Sequence, residues 1–308
     1  MKRGLIAWDR EQLAAAALDQ RLQRARAALA ERDLPALVVY TDVWRSNQAR
    51  FLTNFMPYWN RSLAVIPREQ PPMLLCALSP RVYPWIRSVT VFEEIRPAGK
   101  LVETLAQLCQ ERDWKKLGVL DLPLLPHELH VRLREIPLED VPSRGIIEPD
   151  DAELAMRRRA ARLAREILER ELPWGEGRID YALVGRLERE FRRAGAEDLT
   201  ILLSRGQKVP APANGSKLAA KYSAVVALEY CGHWVKIARA HAPASDRETL
   251  RLLFDAALRG GEARVENLTG PYPWDVGLGE LTRRKIFALT VESGGLYYGD
   301  TFAGEQLL

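Results

Sequence analysis

Short apolar runs alternate with amphipathic stretches in the first half of the chain. Residues 9–31 carry leucines at helical spacing and predict a helix that ends near Pro35, because proline disfavours helical geometry in the residue before it. A second helix is predicted at residues 101–112. The apolar runs predict strands at residues 36–40, 62–67, 73–78 and 117–120. Helix, strand, hairpin, helix and strand in this order indicate an α/β domain.

A domain boundary is predicted just before Pro149. This proline is followed by Asp150, Asp151 and Glu153, a pattern typical of a helix start, since acidic side chains there face the positive end of the helix dipole. We therefore assign residues 1–147 to one domain and residues 148–308 to a second.

The second half of the chain again mixes helical and strand patterns. Helices are predicted at residues 150–171, 179–194 and 247–259, with Pro173 separating the first two. Strands are predicted at residues 200–203, 223–230, 234–239 and 285–292, and an irregular stretch containing glycine and proline follows the last helix. The predicted fold class of both domains is α/β.

Composition narrows the class of protein. The chain has 308 residues, of which 47% are hydrophobic and 28% charged, a balance typical of a soluble globular protein. It contains no run of about 18 uncharged apolar residues and no signal-peptide core, so we expect a cytoplasmic protein without a membrane partner. The formal charge is only +4, and the arginines share helical stretches with glutamates; we therefore expect no nucleic-acid partner.

Cysteine and histidine do not predict a zinc site. Cys76, Cys109 and Cys231 are odd in number, far apart and without Cys-x-x-Cys spacing, which favours reduced thiols. His127 and His130 lie three residues apart on one face of a predicted helix. Two histidines without a third ligand are more typical of surface residues than of a zinc site.

Six segments, taken in order, resemble the creatinase/prolidase/Xaa-Pro aminopeptidase family of pita-bread metallopeptidases. The resemblance covers most of the chain. The segments are residues 21–40, 51–55, 148–161, 232–239, 290–294 and 300–301. The resemblance implies a creatinase-type N-terminal α/β domain followed by a shortened pita-bread α/β domain.

The resemblance also implies a site for two metal ions, with two aspartates, one histidine and two glutamates as ligands. The first aspartate position falls near Val225 or Ala227, and the second falls on Lys236, whose ammonium cannot coordinate a metal. The first glutamate is kept as Glu292, the second falls on Gly299, and the chain has no histidine after residue 241. One ligand of five remains, so we expect a metal-ligand-deficient member with no metal, no cofactor and no assigned catalytic residue.

The remaining polar residues predict either a ligand pocket or a structural ion cluster. Residues 225, 227 and 229 share one strand face, which directs Glu229 toward the implied metal side, with Lys236 on the partner strand. The candidate ligand-binding residues are Glu229, Lys236, Arg239 and Glu292, and the ligand would be a peptide or a small charged molecule. The alternative is a salt-bridged core in which Lys236 balances Glu229 and Glu292.

The predicted function is that of a pseudoenzyme, a non-catalytic homologue of Xaa-Pro peptidases that binds a ligand or a protein partner. The alternative is a hydrolase of the Xaa-Pro aminopeptidase or dipeptidase class, or a metal-free creatinase-like hydrolase. The resemblance implies a histidine base for the metal-free reaction, and residues 210–214 contain none.

The segment at residues 44–61 concentrates aromatic residues and arginines in a region predicted to be rich in loops. Trp, Tyr and Arg are enriched at interfaces, so this segment is interpreted either as a peptide or partner surface or as a dimer contact. We expect a homodimer.

Overall fold

The computed structural model describes residues 6–260, 263–268, 286–304 and 306–308. The chain divides into two compact units, Lys2–Glu148 and Pro149–Leu308. Each unit combines a β-sheet with helices, which confirms the predicted α/β class. No helix among the described residues is long and apolar enough to cross a membrane.

The first unit is built on a six-stranded sheet in the order β4-β3-β2-β1-β5-β6. Its strands are β1 (Ala36–Asp42), β2 (Arg61–Pro67), β3 (Met73–Cys76), β4 (Glu94–Pro97), β5 (Leu117–Leu120) and β6 (Leu138–Val141). Its helices are α1 (Ala15–Glu31), α2 (Asn47–Thr53), α3 (Tyr83–Val89), α4 (Leu101–Glu111) and α5 (His127–Arg132). β1 lies inside the sheet, antiparallel to β2 and parallel to β5.

The core of this unit lies on both faces of β1. Leu37 packs in one cluster with Leu29 of α1, and Val38 packs in the other with Leu105 of α4. This explains why β1 appears in the sequence as an uninterrupted apolar run rather than an alternating one.

Four short elements of the first unit were not predicted: α2, α3, β4 and β6. Helix α1 begins at Ala15 rather than at residue 9, and α2 lies inside the segment predicted to be loop-rich. Phe51 and Leu52 of α2 are buried, whereas Trp44 and Trp59 on either side of this helix are exposed. A seven-residue helix spans two turns, too few for its periodicity to stand out from neighbouring loops.

The second unit is built on a seven-stranded sheet in which neighbouring strands are antiparallel. Its order is β10-β11-β12-β9-β8-β7, and β13 pairs with β12. The strands are β7 (Asp198–Ser204), β8 (Tyr222–Tyr230), β9 (His233–His241), β10 (Arg264–Asn267), β11 (Ile286–Ser293), β12 (Leu296–Ala303) and β13 (Gln306–Leu307). The helices are α6 (Asp151–Gly175), α7 (Asp180–Arg193) and α8 (Ala244–Leu258).

Two of these assignments correct the sequence analysis. Pro173 was predicted to separate two helices, but α6 continues through it to Gly175. Proline is tolerated there because the helix ends two residues later, so the lost hydrogen bond falls in its last turn. The stretch predicted to be irregular contains β10; residues 269–285 of that stretch lie outside the described residues.

Helices α6 and α8 pack against the same face of the second sheet. Phe254 of α8 contacts Phe302 of β12 in an apolar cluster that also contains Phe287 of β11. Successive residues of a strand point to opposite faces of the sheet. Val225 of β8 and Tyr297 of β12 lie on the face opposite the helices. This opposite face carries the implied metal positions.

A buried ion cluster joins α6 to β9. The Nη2 atom of Arg157 lies 2.6 Å from Oε1 of Glu153, and Nδ1 of His233 lies 3.4 Å from the same carboxylate oxygen. Arg157 also donates to the backbone carbonyl of Trp234. Burial raises the pKa of Glu153, but the charges of Arg157 and His233 outweigh it and hold this pKa well below its usual value.

Candidate ligand-binding site

Lys236 of β9 is held by contacts to both its side chain and its backbone. Its Nζ atom lies 2.6 Å from each carboxylate oxygen of Glu266. Its backbone N–H donates to Oγ1 of Thr301 at 2.8 Å, and this hydroxyl donates to the Lys236 carbonyl at 2.9 Å. The side chains of Lys236 and Glu266 are 15% and 5% exposed, so the pair is largely removed from water.

The strand register explains how the two charges meet. Glu266 on β10 lies opposite Ala288 on β11, and Ala288 lies opposite Thr301 on β12, next to Lys236. The residues between the charges are therefore small, and both long side chains reach across them. Arg264 adds a second cation, with its Nε 2.9 Å from Oε1 of Glu266.

A cavity of about 290 Å³ lies beside this ion pair, on the sheet face opposite α6 and α8. Its charged side is formed by Lys236, Arg264 and Glu266. Thr200, Thr290 and Tyr297 contribute further polar atoms. The apolar side is formed by Leu202, Val209, Pro210, Val225 and Ala227. An apolar wall with a few convergent polar groups is the usual composition of a small-molecule site.

The hydroxyl of Tyr297 is engaged by the protein. It donates to the backbone carbonyl of Lys208. Burial, followed by the charge of Glu292, raises the pKa of this phenol above its ordinary value. Tyr297 therefore contributes a neutral ring to the cavity wall rather than a phenolate.

The four candidate residues do not converge on this cavity. Lys236 lines it. Glu229 is fully buried on β8, opposite Trp234 and Asp198 in the register. Glu292 is exposed near the end of β11, and its Oε1 accepts a hydrogen bond from the backbone N–H of Gly295 at 2.6 Å.

Arg239 faces the other side of the sheet. Its Nη2 lies 2.7 Å from Asp300, its Nη1 donates to the carbonyl of Gly299 at 2.8 Å, and its guanidinium stacks over Tyr298. These contacts tie β9 to β12. Arg239 thus stabilises the sheet in the structure and lies away from Lys236.

The ion cluster predicted around Lys236 has a different composition in the structure. Lys236 pairs with Glu266 rather than with Glu229 and Glu292. The register places Glu229 beside Trp234, one pleat beyond Lys236, and Glu292 beside the β11–β12 turn, where a backbone N–H binds it. Side chains on one sheet face contact each other only when the register places them opposite or diagonal to one another on adjacent strands, or when they are long enough to reach further.

Glu266 and Arg264 were missed in the sequence. The only local signal is the alternation of charged and apolar residues at 264–266, a period of two that favours a strand. Three residues are too few to set this pattern apart from the surrounding irregular stretch. Their proximity to Lys236 depends on two intervening strands and has no signature in the sequence.

Comparison with known proteins identifies solved structures of the same fold. No protein-family model matches the chain, and no curated protein matches it in sequence. Among solved structures, an Xaa-Pro dipeptidase from Bacillus anthracis aligns with a TM-score of 0.68 at 15% identity, over 94% of this chain and 96% of that one. An X-Pro aminopeptidase from Thermotoga maritima MSB8 aligns with a TM-score of 0.71 at 12% identity, over 92% and 94%. The chain has their fold.

A prolidase from Pyrococcus horikoshii OT3 gives the same picture, with a TM-score of 0.70 at 12% identity over 92% of this chain and 95% of the other. The prolidase-type fold predicted from the six motif segments is therefore confirmed. At these identities the likeness concerns the fold, and the chemistry of the site rests on the residues present.

Those residues do not fit the pair of metal ions that the resemblance implies. Val225, Ala227 and Gly299 have no side-chain donor atoms, and the ammonium of Lys236 repels a cation. The one glutamate kept, Glu292, is bound to a backbone N–H. Within the described residues, no three His, Cys, Asp or Glu side chains are grouped so as to hold a metal ion.

Proposed function

We propose that this chain is a non-catalytic protein of prolidase fold that binds a small charged ligand in the cavity beside Lys236. The observation that carries the proposal is the position of the Lys236 ammonium. It stands where the resemblance implies a metal-binding aspartate, it pairs with Glu266 at 2.6 Å, and a cavity of about 290 Å³ lies beside it. A position at which the resemblance implies a metal ligand thus presents a positively charged side chain to a ligand.

The arrangement of charges suits a short peptide or another small zwitterion. Lys236 and Arg264 offer donors to a carboxylate, and Glu266 between them offers an acceptor to an ammonium group. Val225 and Ala227 offer an apolar surface to the rest of the ligand. The cavity lies at the small end of ligand sites, which limits the ligand to about the size of a dipeptide.

A second candidate function is peptide hydrolysis. It is favoured by the names of the proteins that share the fold, which are Xaa-Pro dipeptidases, prolidases and aminopeptidases. Against it stand the residues at the implied metal positions. The two functions make opposite predictions for the same substrate.

An assay with the dipeptide Ala-Pro separates them. Titration calorimetry on the full chain should detect binding, and incubation with Mn²⁺ or Zn²⁺ should release no proline above the protein-free control. Lys236→Met, which keeps the length of the side chain and removes its charge, should weaken binding by tenfold or more. Lys115→Met is the matched control, since Lys115 is 81% exposed in the first unit.

Each outcome bears on one of the two functions. Proline release that scales with protein concentration and is lost in Lys236→Met would contradict the non-catalytic proposal and favour the hydrolase. Equal affinity of Lys236→Met and wild type would contradict the assignment of the cavity. Circular dichroism on each variant verifies that the change in affinity does not come from unfolding.

The proposal includes an assembly and a location. The chain works as a homodimer in the cytoplasm, without a nucleic-acid or membrane partner. The dimer is supported by Trp44 and Trp59, which are 71% and 66% exposed. Asp42 and Arg61 are register partners at the end of the β1–β2 pair, so both tryptophans lie two residues beyond the same end of these two strands.

A further inference from the structure

A second and larger cavity lies on the helical face of the second sheet. Its volume is about 690 Å³, and it is bounded by α6, by the end of β9 and by the beginning of α8. It is separate from the cavity beside Lys236, because Arg239 and Lys236 point to opposite faces of β9. Its size is within the range of cofactor and small-molecule sites.

The floor of this cavity is apolar. Leu168 and Leu172 of α6 lie one turn apart, and Leu250 of α8 faces them. Tyr298 of β12 adds an aromatic ring. The three leucines are each at most 2% exposed, so the floor is a fixed part of the core.

Two arginines border the cavity at its open side. Arg247 and Arg251 lie four residues apart on α8, a spacing that places both guanidinium groups on one face of the helix. Both are solvent-exposed. In the described part of the chain, neither has an acidic side chain within salt-bridge distance, although the same helix carries Glu248, which also borders the cavity.

Apart from Glu248, the other charged residues around the cavity are already engaged. Arg239 binds Asp300 at 2.7 Å, and Glu169 lies 3.8 Å from its Nε. Nε2 of His241 lies 2.9 Å from a carboxylate oxygen of Glu176. The cations offered to a ligand are therefore Arg247 and Arg251, and with the carboxylate of Glu248 the three side chains carry a net positive charge.

We propose that this cavity binds an organic oxyanion, a carboxylate or phosphate joined to an apolar group. The paired guanidinium groups of Arg247 and Arg251 donate to the oxyanion, because the planar guanidinium matches the geometry of carboxylate and phosphate oxygens. The apolar group packs against Pro173 and Tyr298, which line the cavity and, unlike the leucines beneath them, are not fully buried. This site is independent of the function proposed for the cavity beside Lys236.

A set of probes that share one ring tests the proposal on the full chain. They are 1-naphthoate, 1-naphthyl phosphate and the neutral 1-naphthol, with inorganic phosphate as the anion without a ring. Calorimetry should show binding of one or both naphthyl anions, and the stronger of the two identifies the oxyanion. Inorganic phosphate and 1-naphthol should each bind at least tenfold more weakly than that anion.

The variants assign the binding to this cavity. In Arg247→Ala/Arg251→Ala the affinity for the naphthyl anion should fall at least tenfold, and Arg247→Lys/Arg251→Lys should restore part of it. Arg162→Ala is the control, since Arg162 is an exposed arginine of α6 that does not border the cavity. Unchanged affinity in the double alanine variant would overturn the proposal, as would binding of 1-naphthol as tight as that of the anions. Thermal melts of the variants should match the wild type, because both arginines are on the surface.

Discussion

Lys236 and Glu266 form an ion pair at 2.6 Å although β9 and β10, the strands that carry them, are separated in the sheet by β12 and β11. The pair closes over Ala288 and Thr301, which are small enough to leave room for it. The contact therefore connects the two halves of the sheet through side chains, in addition to the backbone ladder. Because Lys236 also borders the cavity, the pair has a structural role in addition to the binding role proposed above.

Breaking this pair should destabilise the second unit. Lys236→Ala leaves the Glu266 carboxylate largely buried with Arg264 as its remaining partner, and we expect a loss of about 3 kcal/mol. Arg264 is more than half exposed and compensates only in part. The unfolding midpoint should fall by about 6–12 °C in a thermal melt.

A double-mutant cycle separates the pair from its surroundings. Lys236→Met/Glu266→Gln removes both charges with similar volume, and it should be more stable than either single variant, because no buried charge is left unpaired. A shift in the midpoint of less than about 2 °C for Lys236→Ala would contradict this prediction.

The strands around the site could be predicted from the sequence. The strands predicted at residues 223–230 and 234–239 correspond to β8 and β9, and the turn between them is fixed by Cys231 and Gly232, both with positive φ. Long apolar strands on either side of a tight turn favour one register strongly. In the structure this hairpin places Lys236 opposite Ala227.

The partner of Lys236 could not be predicted from the sequence. Glu266 lies thirty residues further along the chain, in a strand of four residues, and reaches Lys236 across two other strands. Sequence periodicity reports which face a side chain occupies, and Glu229, Glu292 and Glu266 share that face with Lys236. Which of the three reaches the ammonium depends on distances across the sheet.

The chain should not take up the metal ions that its fold suggests. After chelation and incubation with Mn²⁺ or Zn²⁺, plasma mass spectrometry should find far less than one ion per chain, because Val225 and Gly299 have no ligand atoms at the implied positions. Lys236→Asp should not restore binding, since it adds one carboxylate to an otherwise incomplete set. Stoichiometric metal in the wild type that is lost in Glu292→Gln would contradict this prediction.

The two exposed tryptophans should contribute to a homodimer. Light scattering at micromolar concentration should give about twice the chain mass of 34.9 kDa for the wild type. Trp44→Ala/Trp59→Ala should shift the equilibrium toward the monomer, because exposed tryptophans are typical interface anchors. A control is Tyr181→Ala, a 59% exposed aromatic of the second unit. A monomeric wild type would exclude the dimer.

The cluster of Glu153, Arg157 and His233 should make stability depend on pH in the acid range. The folded-state pKa of Glu153 lies well below the value of 4.5 for an exposed glutamate, because Arg157 and His233 outweigh the effect of burial. A carboxyl group with a depressed folded-state pKa contributes stability that is fully present above the unfolded-state pKa. This contribution is lost as the pH falls toward the folded-state pKa.

Glu153→Gln should therefore flatten the acid limb of the stability profile. Between pH 7 and about pH 3, the wild type should lose about 2 kcal/mol more than this variant, because each pH unit below the unfolded-state value of 4.5 costs about 1.4 kcal/mol. Urea unfolding at a series of pH values measures the difference. Glu166→Gln is the matched control, since Glu166 lies on the same helix and is 60% exposed, and its profile should follow the wild type. Parallel profiles for Glu153→Gln and the wild type would mean that Glu153 is not ionised in the folded protein, and that Arg157 is held by its backbone partners instead.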